Sequence, residues 1–251
     1  MTGRMSNEAR TAELTFERNG DPLRGYAARP QGEGPFPALV LIPDVRGLYD
    51  HFRDLAGRFA AQGFFTFAVD LYSREGAPDL PDMEAVNRWI RELPDRRVLA
   101  DIEAAVAFTA TQPGVRANAV GITGFCMGGQ YALLAACTCT GLSACAPFYG
   151  MLRYAGGLDP ERKPRAPLEA LIDLSCPVLG FYGAEDHLIP QTDVDALRAG
   201  LTASAHGGEV IVYPGAGHAF MNDSRPPLYR EDAARDAWPR LVGFLRARLV
   251  A

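Results

Sequence analysis

Short apolar runs recur along the chain at residues 14–17, 25–28, 38–42, 64–69, 119–123, 144–149, 178–182 and 210–213. Their length and their β-branched and aromatic content predict strands. In Ala38-Leu39-Val40-Leu41-Ile42 the apolar positions are consecutive rather than alternating, the pattern of a strand covered on both faces in a parallel sheet. Between the runs, longer segments carry apolar residues at helical spacing, at residues 51–62, 83–92, 98–111, 128–139, 191–201 and 230–249. Strand and helix alternate, which predicts an α/β fold: a mostly parallel central sheet with helices on both faces. The first two runs are joined by Arg18-Asn19-Gly20-Asp21-Pro22, whose Asn-Gly pair suits a turn with positive φ and predicts an antiparallel N-terminal hairpin.

Pro- and Gly-rich stretches at residues 30–37, 76–81 and 156–167 read as surface loops, too short to be interdomain linkers. Residues 1–12 are expected to be a polar N-terminal extension and residues 13–251 a single domain. Composition narrows the classes: 48% hydrophobic and 22% charged residues are ordinary for a globular protein with a sizeable core. The net charge of −5 and the lack of any Lys/Arg-rich run argue against nucleic acid as a partner. No apolar run approaches the ~20 residues a membrane span needs. The polar start of the chain carries no apolar stretch of the secretory type, so the expected location is the cytoplasm. Five cysteines without zinc-type spacing point to reduced thiols and to no metal site. The sequence carries no signature of oligomeric state.

Candidate chemistry concentrates where a buried-strand pattern, residues 119–123, meets a helical one, residues 128–139, through Gly124-Phe125-Cys126-Met127-Gly128-Gly129. A nucleophile on so sharp a strand-to-helix turn needs flanking residues without side chains, which Gly124, Gly128 and Gly129 supply. The helix that follows aims its N-terminal amides at Cys126, favouring a thiolate and offering the Met127 N–H as a first oxyanion donor. A Gly-x-Cys-x-Gly string by itself is weak, since a free cysteine is more often inert core. The position of this one, and the partners that follow it in the order nucleophile, acid, histidine, favour catalysis. Cys137, Cys139, Cys145 and Cys176 lack that setting and read as core.

The base expected is His218, in the Gly-rich loop Pro214-Gly215-Ala216-Gly217-His218 directly after an apolar strand. His51, His187 and His206 read as surface or capping residues. The orienting acid expected is Asp186, after the strand ending at Tyr182, with Glu185 as competitor. A second oxyanion donor falls in the loop after residues 38–42, where the Val45 N–H is the candidate. Asp44 in the same loop is expected to lie near Cys126, raising the thiol pKa or accepting its proton.

With Gly-Phe-Cys-Met-Gly-Gly, Gly-Ala-Glu-Asp-His and Gly-His-Ala-Phe in place, the chain resembles the dienelactone hydrolase (carboxymethylenebutenolidase) family over nearly its whole length. The resemblance implies an α/β-hydrolase fold and hydrolysis of a small-molecule lactone or carboxylic ester without cofactor. It implies attack by Cys126, an oxyanion held by Met127 and Val45, and water activated by His218. Where well-known members carry a glutamate that takes the thiol proton, this sequence has Asp44. Where they carry a substrate-clamping arginine four residues after the histidine, it has Asn222, so dienelactone itself does not carry over as substrate. For the other clamp arginine that the resemblance implies, Arg88, Arg91, Arg96 and Arg97 all stay open, Arg46 is a further candidate for binding substrate, and Tyr72, Trp89, Phe125, Tyr149 and Phe220 could form an apolar wall. A non-catalytic or a thiol-redox member of the same fold is the alternative.

Overall fold

The computed structural model describes residues 9–250. Residues 1–8 of the expected N-terminal extension lie outside them. Eight strands form one sheet: β1 (Arg10–Arg18), β2 (Asp21–Arg29), β3 (Phe36–Ile42), β4 (Phe65–Val69), β5 (Val115–Phe125), β6 (Leu142–Phe148), β7 (Val178–Gly183) and β8 (Gly208–Tyr213). Their spatial order is β1-β2-β4-β3-β5-β6-β7-β8. The hairpin forms as expected: β1 and β2 pair antiparallel from Arg18↔Asp21 to Arg10↔Arg29, turning through Asn19 (φ 52°) and Gly20 (φ 86°). Two successive positive φ angles match the right-handed twist of the flanking strands. β1 thus begins inside the segment expected to be an extension. Strand β2 joins β4 antiparallel, and every later pairing is parallel.

The connecting helices are α1 (Asp50–Ala61), α2 (Met83–Glu92), α3 (Asp95–Ala110), α4 (Met127–Thr138), the short α5 (Pro167–Ala170), α6 (Gln191–Ala203) and α7 (Glu231–Leu249). They cover both faces of the sheet, and β5 shows how. A Cβ on Gly121 would meet Leu245 and Leu249 of α7, while one on Gly124 would meet the Gly128 backbone of α4. Alternate positions of the strand therefore face opposite helices. Because both faces are covered, residues 38–42 of β3 are fully buried, which explains their unbroken apolar run. Among the described residues no helix is long and apolar enough to cross a membrane.

Two differences from expectation have one cause. Helix α3 begins three residues earlier than its apolar periodicity indicates, at Asp95, and residues 156–167 are not simply a surface loop, because Lys163 within them is 2% exposed. Lys163 Nζ reaches Asp95 Oδ1 at 2.6 Å, the Leu93 carbonyl at 2.8 Å and the Tyr131 hydroxyl at 3.1 Å. The Tyr154 hydroxyl donates to the other Asp95 oxygen. Buried charges are tolerated only when paired and hydrogen-bonded. Here the partners are 68 positions apart, so local pattern reads each charge as exposed.

Candidate active site

Five adjacent parallel strands, β3, β5, β6, β7 and β8, end on the same edge of the sheet, and the loops after them carry Asp44 and Val45, Cys126, Tyr149, Asp186 and His218. Open α/β sheets bind ligands at this carboxyl edge. At the end of β5 the backbone turns at Cys126 with φ 57° and ψ −121°, a sparsely populated conformation that costs on the order of 1–3 kcal/mol. The Cys126 N–H donates to the Phe148 carbonyl of β6 at 3.1 Å, and its carbonyl accepts from Gly129 and Gln130 at the start of α4. The glycines are sterically required. A Cβ on Gly124 would lie 2.1 Å from the Gly128 oxygen, one on Gly128 2.2 Å from the Ile42 oxygen, and one on Gly129 2.4 Å from the Phe148 oxygen.

Of the five cysteines, Cys126 alone is not fully buried. Burial pushes the Cys139 thiol up to about 11 and those of Cys137 and Cys176 up to about 12, and raises Cys145 well above the ordinary range. Those four thiols are held in the neutral form, as expected of core residues.

His218 and Asp186 meet because the loops after β7 and β8 are pinned to each other. Glu185 N–H donates to the Ala216 carbonyl at 2.9 Å and Ala184 N–H to the Tyr213 carbonyl at 3.0 Å. Gly183 must be glycine, since a Cβ there would lie 2.3 Å from the Ala216 oxygen. Asp186 Oδ2 lies 2.8 Å from His218 Nδ1, and Oδ1 accepts the Leu188 N–H at 2.9 Å, so both carboxylate oxygens are held. Glu185 is exposed and makes no contact with the imidazole. His218 Nε2 is buried without a hydrogen bond of good geometry. Burial disfavours the imidazolium, but the charge of Cys126 and the hydrogen bond that His218 donates to Asp186 outweigh it and push the His218 pKa up to about 10. The imidazole therefore senses Cys126 on one side and Asp186 on the other.

His187 and His206 are exposed, as expected. His51 is not a surface residue: it is buried near the start of α1, with Nδ1 3.3 Å from Asp223, a carboxylate in the loop that follows His218. Its partner is 172 residues away in sequence, and burial lowers its pKa.

The two amides expected to receive an oxyanion lie on the loop after β3 and on the first turn of α4. Neither the Val45 N–H nor the Met127 N–H donates to another described group, and the two loops are tied together by Tyr72. The Tyr72 hydroxyl donates to the Val45 carbonyl at 2.9 Å and lies 3.7 Å from the Met127 sulfur. Its ring leaves no space for a side chain on Gly47, whose Cβ would come within 2.8 Å. Trp89 packs edge-on against Tyr72 at 5.4 Å, half-buried, its indole N–H without a partner of good geometry. Tyr149, at the end of β6 with φ 37°, places its ring 5.2 Å from that of His218.

Several expected roles are corrected. Phe125 and Phe220 are core, not wall: Phe125 stacks on Phe148 at 4.7 Å behind the elbow, and Phe220, fully buried, packs under Tyr149 at 5.3 Å. Strand alternation turns Phe125 away from the side on which Cys126 opens. Asn222 is 2% exposed and its amide is engaged within the protein, Nδ2 on the Tyr49 hydroxyl at 2.9 Å and Oδ1 accepting from Ser224. Its oxygen and one amide N–H are committed within the protein, and the buried side chain is turned toward Tyr49. Asp44 is buried but makes no hydrogen bond to Cys126; Oδ1 accepts the Arg46 N–H at 2.8 Å and Oδ2 the Tyr49 hydroxyl at 3.1 Å. Arg46 itself extends outward, its side chain 44% exposed and 3.7 Å from Asp44. Tyr49 escaped the sequence reading, since a tyrosine before a helix has no local mark of its partners.

Residues 23–249 match the dienelactone hydrolase family. A Yersinia pestis protein named "Putative carboxymethylenebutenolidase" is 38% identical over 235 residues, covering 92% of this chain and 86% of its own. A Bradyrhizobium protein named "Probable 2-oxo-3-(5-oxofuran-2-ylidene)propanoate lactonase" is 36% identical over 231 residues, 92% of each chain. The crystal structure of a protein from Klebsiella pneumoniae described as a "Putative Dienelactone Hydrolase" superposes with a TM-score of 0.87 at 34% identity, over 94% of this chain and 98% of that one. The chain belongs to the dienelactone hydrolase family and is a lactone- or ester-cleaving hydrolase of the α/β-hydrolase fold.

Proposed function

We propose that this protein opens a lactone, or cleaves a small carboxylic ester, through a thioester on Cys126. The observation that carries the reading is the state of His218: Nδ1 is held by the buried Asp186, while Nε2 is buried, free of other partners and charge-coupled to Cys126. An imidazolium paired with the nucleophile is the resting form this coupling favours.

In the first half-reaction Cys126 Sγ attacks the carbonyl carbon and the C=O electron pair moves to oxygen. The Met127 and Val45 N–H groups receive that oxyanion, each in reach because the two loops are fastened by Tyr72. Collapse expels the alcohol or enol oxygen, which takes the Nε2 proton of His218; in a lactone this leaving group stays attached to the acyl chain. In the second half, neutral His218 removes a proton from water, the hydroxide adds to the thioester, and the thiolate departs beside the re-formed imidazolium. The product is a carboxylic acid, ionised at neutral pH. Asp186 keeps the tautomer that places the reactive nitrogen toward sulfur.

The four buried cysteines, their thiols raised by burial, support hydrolysis over a thiol-redox role, because none is poised to resolve an oxidised Cys126. Arg46, next to Val45 in sequence and with its side chain 44% exposed, is the cation this reading assigns to a substrate carboxylate, as an acid-bearing lactone would require. The test is Cys126→Ala, assayed on activated esters and lactones with and without a carboxylate. Turnover is expected to fall by on the order of 10⁴-fold or more, with the fold intact. The wild type quenched during turnover should carry the acyl mass on the peptide containing Cys126. A variant that turns over at the wild-type rate overturns the assignment.

A further inference from the structure

The two halves of the site, one carrying the base and the other an oxyanion donor, come from loops that follow strands on either side of β5, and hydrogen bonds join them by a route that avoids the nucleophile. Asn222 lies in the turn after His218, its N–H bonded to the Ala219 carbonyl at 3.0 Å. Its amide orientation is fixed, because Oδ1 accepts both the backbone N–H and the hydroxyl of Ser224, at 3.1 and 2.6 Å. Nδ2 must then face Tyr49, whose hydroxyl oxygen accepts from it at 2.9 Å. That hydroxyl has one proton, and it goes to Asp44 Oδ2 at 3.1 Å. Asp44 Oδ1 closes an Asx turn on the Arg46 N–H at 2.8 Å, and the Asp44 carbonyl accepts from Gly47 at 2.9 Å. Between those contacts lies Val45. The direction of each hydrogen bond named in the chain is determined, and both ends are buried.

We propose that Asn222, Tyr49 and Asp44 form a positioning relay that locks the His218 loop to the loop presenting the Val45 N–H. The inference rests on the assignment of Cys126 as nucleophile. Asp44 is here a scaffold for the oxyanion donor, its two oxygens accepting from the Arg46 N–H and the Tyr49 hydroxyl. An oxyanion donor contributes only when its N–H stands where the charge develops, and a small displacement of Val45 removes that contribution. The relay makes the register of the Val45 amide depend on the loop that carries the base.

Two reactions of Cys126 separate this from the alternative. Acyl transfer passes through an oxyanion; alkylation by iodoacetamide does not. Tyr49→Phe removes one hydroxyl and keeps the ring. It is expected to lower kcat for a neutral ester by on the order of 10- to 100-fold with KM nearly unchanged, since only a transition-state interaction is lost. The iodoacetamide rate at Cys126 should stay at the wild-type value. Asp44→Asn preserves an acceptor for Arg46 N–H and a polar contact to Tyr49, so it should retain much more turnover than Asp44→Ala. This pair decides the matter even where Tyr49→Phe fails to fold. Full activity in Tyr49→Phe, equal losses in Asp44→Asn and Asp44→Ala, or alkylation falling in step with turnover would each overturn the relay. Cys126→Ala runs in the same assay. If it remains active the nucleophile assignment falls; if it is dead while Tyr49→Phe is fully active, the relay alone falls.

Discussion

Among the carboxylates buried in this molecule with a cationic partner, Asp95 and Asp186 do different things. Asp95 and Lys163 lie 2.6 Å apart with side chains 2% exposed each; Asp186 and His218 lie 2.8 Å apart with side chains 0% and 18% exposed. By burial and distance alone the first pair is the stronger candidate for a site. What separates them is the far side of the cation. Lys163 Nζ is surrounded by the Leu93 carbonyl, Asp95 and the Tyr131 hydroxyl, and Tyr154 covers the other Asp95 oxygen. Nothing is left to face a ligand. The His218 ring has a second nitrogen, buried and unsatisfied, next to a strained cysteine. A buried ion pair thus indicates chemistry only where one of its donors remains available to a reacting atom.

Breaking each pair should therefore break a different property. Asp186→Asn retains the shape but presents the wrong hydrogen-bonding face to Nδ1, and kcat should fall by roughly 10⁴-fold, as such a change does in a serine triad. Its urea midpoint should move far less than that of Lys163→Met. In Lys163→Met the Asp95 carboxylate remains buried without its counter-ion, a loss of about 3–5 kcal/mol of folding stability. Turnover of the protein that remains folded should be unchanged, since the partners of Lys163 are Leu93, Asp95 and Tyr131 and none of Cys126, Asp186 or His218. Equilibrium unfolding and steady-state rates on the same preparations would decide it. Equal activity losses in the two variants would erase the distinction between the pairs.

A smaller effect is expected from pH. The folded His218 holds its proton up to about 10, against an unfolded value of roughly 6.5. A group whose pKa is raised by folding stabilises fully below the unfolded value, and that stabilisation is lost as pH rises through the folded one. The melting temperature should accordingly decline between neutral pH and about 10. Because the charge of Cys126 is the largest influence raising the His218 pKa, the decline should be shallower in Cys126→Ala, and the imidazole resonances should titrate at lower pH. A variant whose imidazole titrates where that of the wild type does would dissociate His218 from Cys126.

The same contrast explains what was readable in advance. The chemistry of the edge is local: a glycine-flanked residue between a strand and a helix, an acid after a strand and a histidine in a glycine-rich loop each declare themselves within a few positions. The glycines at 124, 128 and 129 are dictated by backbone oxygens that would lie only 2.1 to 2.4 Å from an added Cβ, and a requirement that strict writes itself into residue type. The strands buried on both faces and the Asn-Gly hairpin are local in the same sense. Residues whose character comes from distant partners were not readable. His51 reads as surface and Lys163 as loop because Asp223 and Asp95 are remote in sequence, and Asn222 reads as facing substrate although it faces Tyr49, 173 positions away. Phe125 and Phe220 could be called aromatic but not assigned to core or wall.

The sequence by itself thus determined the α/β architecture, the elbow at Cys126 and the identity of the residues that could serve it, because backbone geometry and periodicity act over short spans. Tertiary structure decided which buried charges are closed and which remain open, and that Asp44 is held by Tyr49 and Arg46 instead of by the thiol. Those outcomes depend on which donors and acceptors five strand-end loops bring within hydrogen-bonding distance, and no periodicity along the chain encodes that meeting.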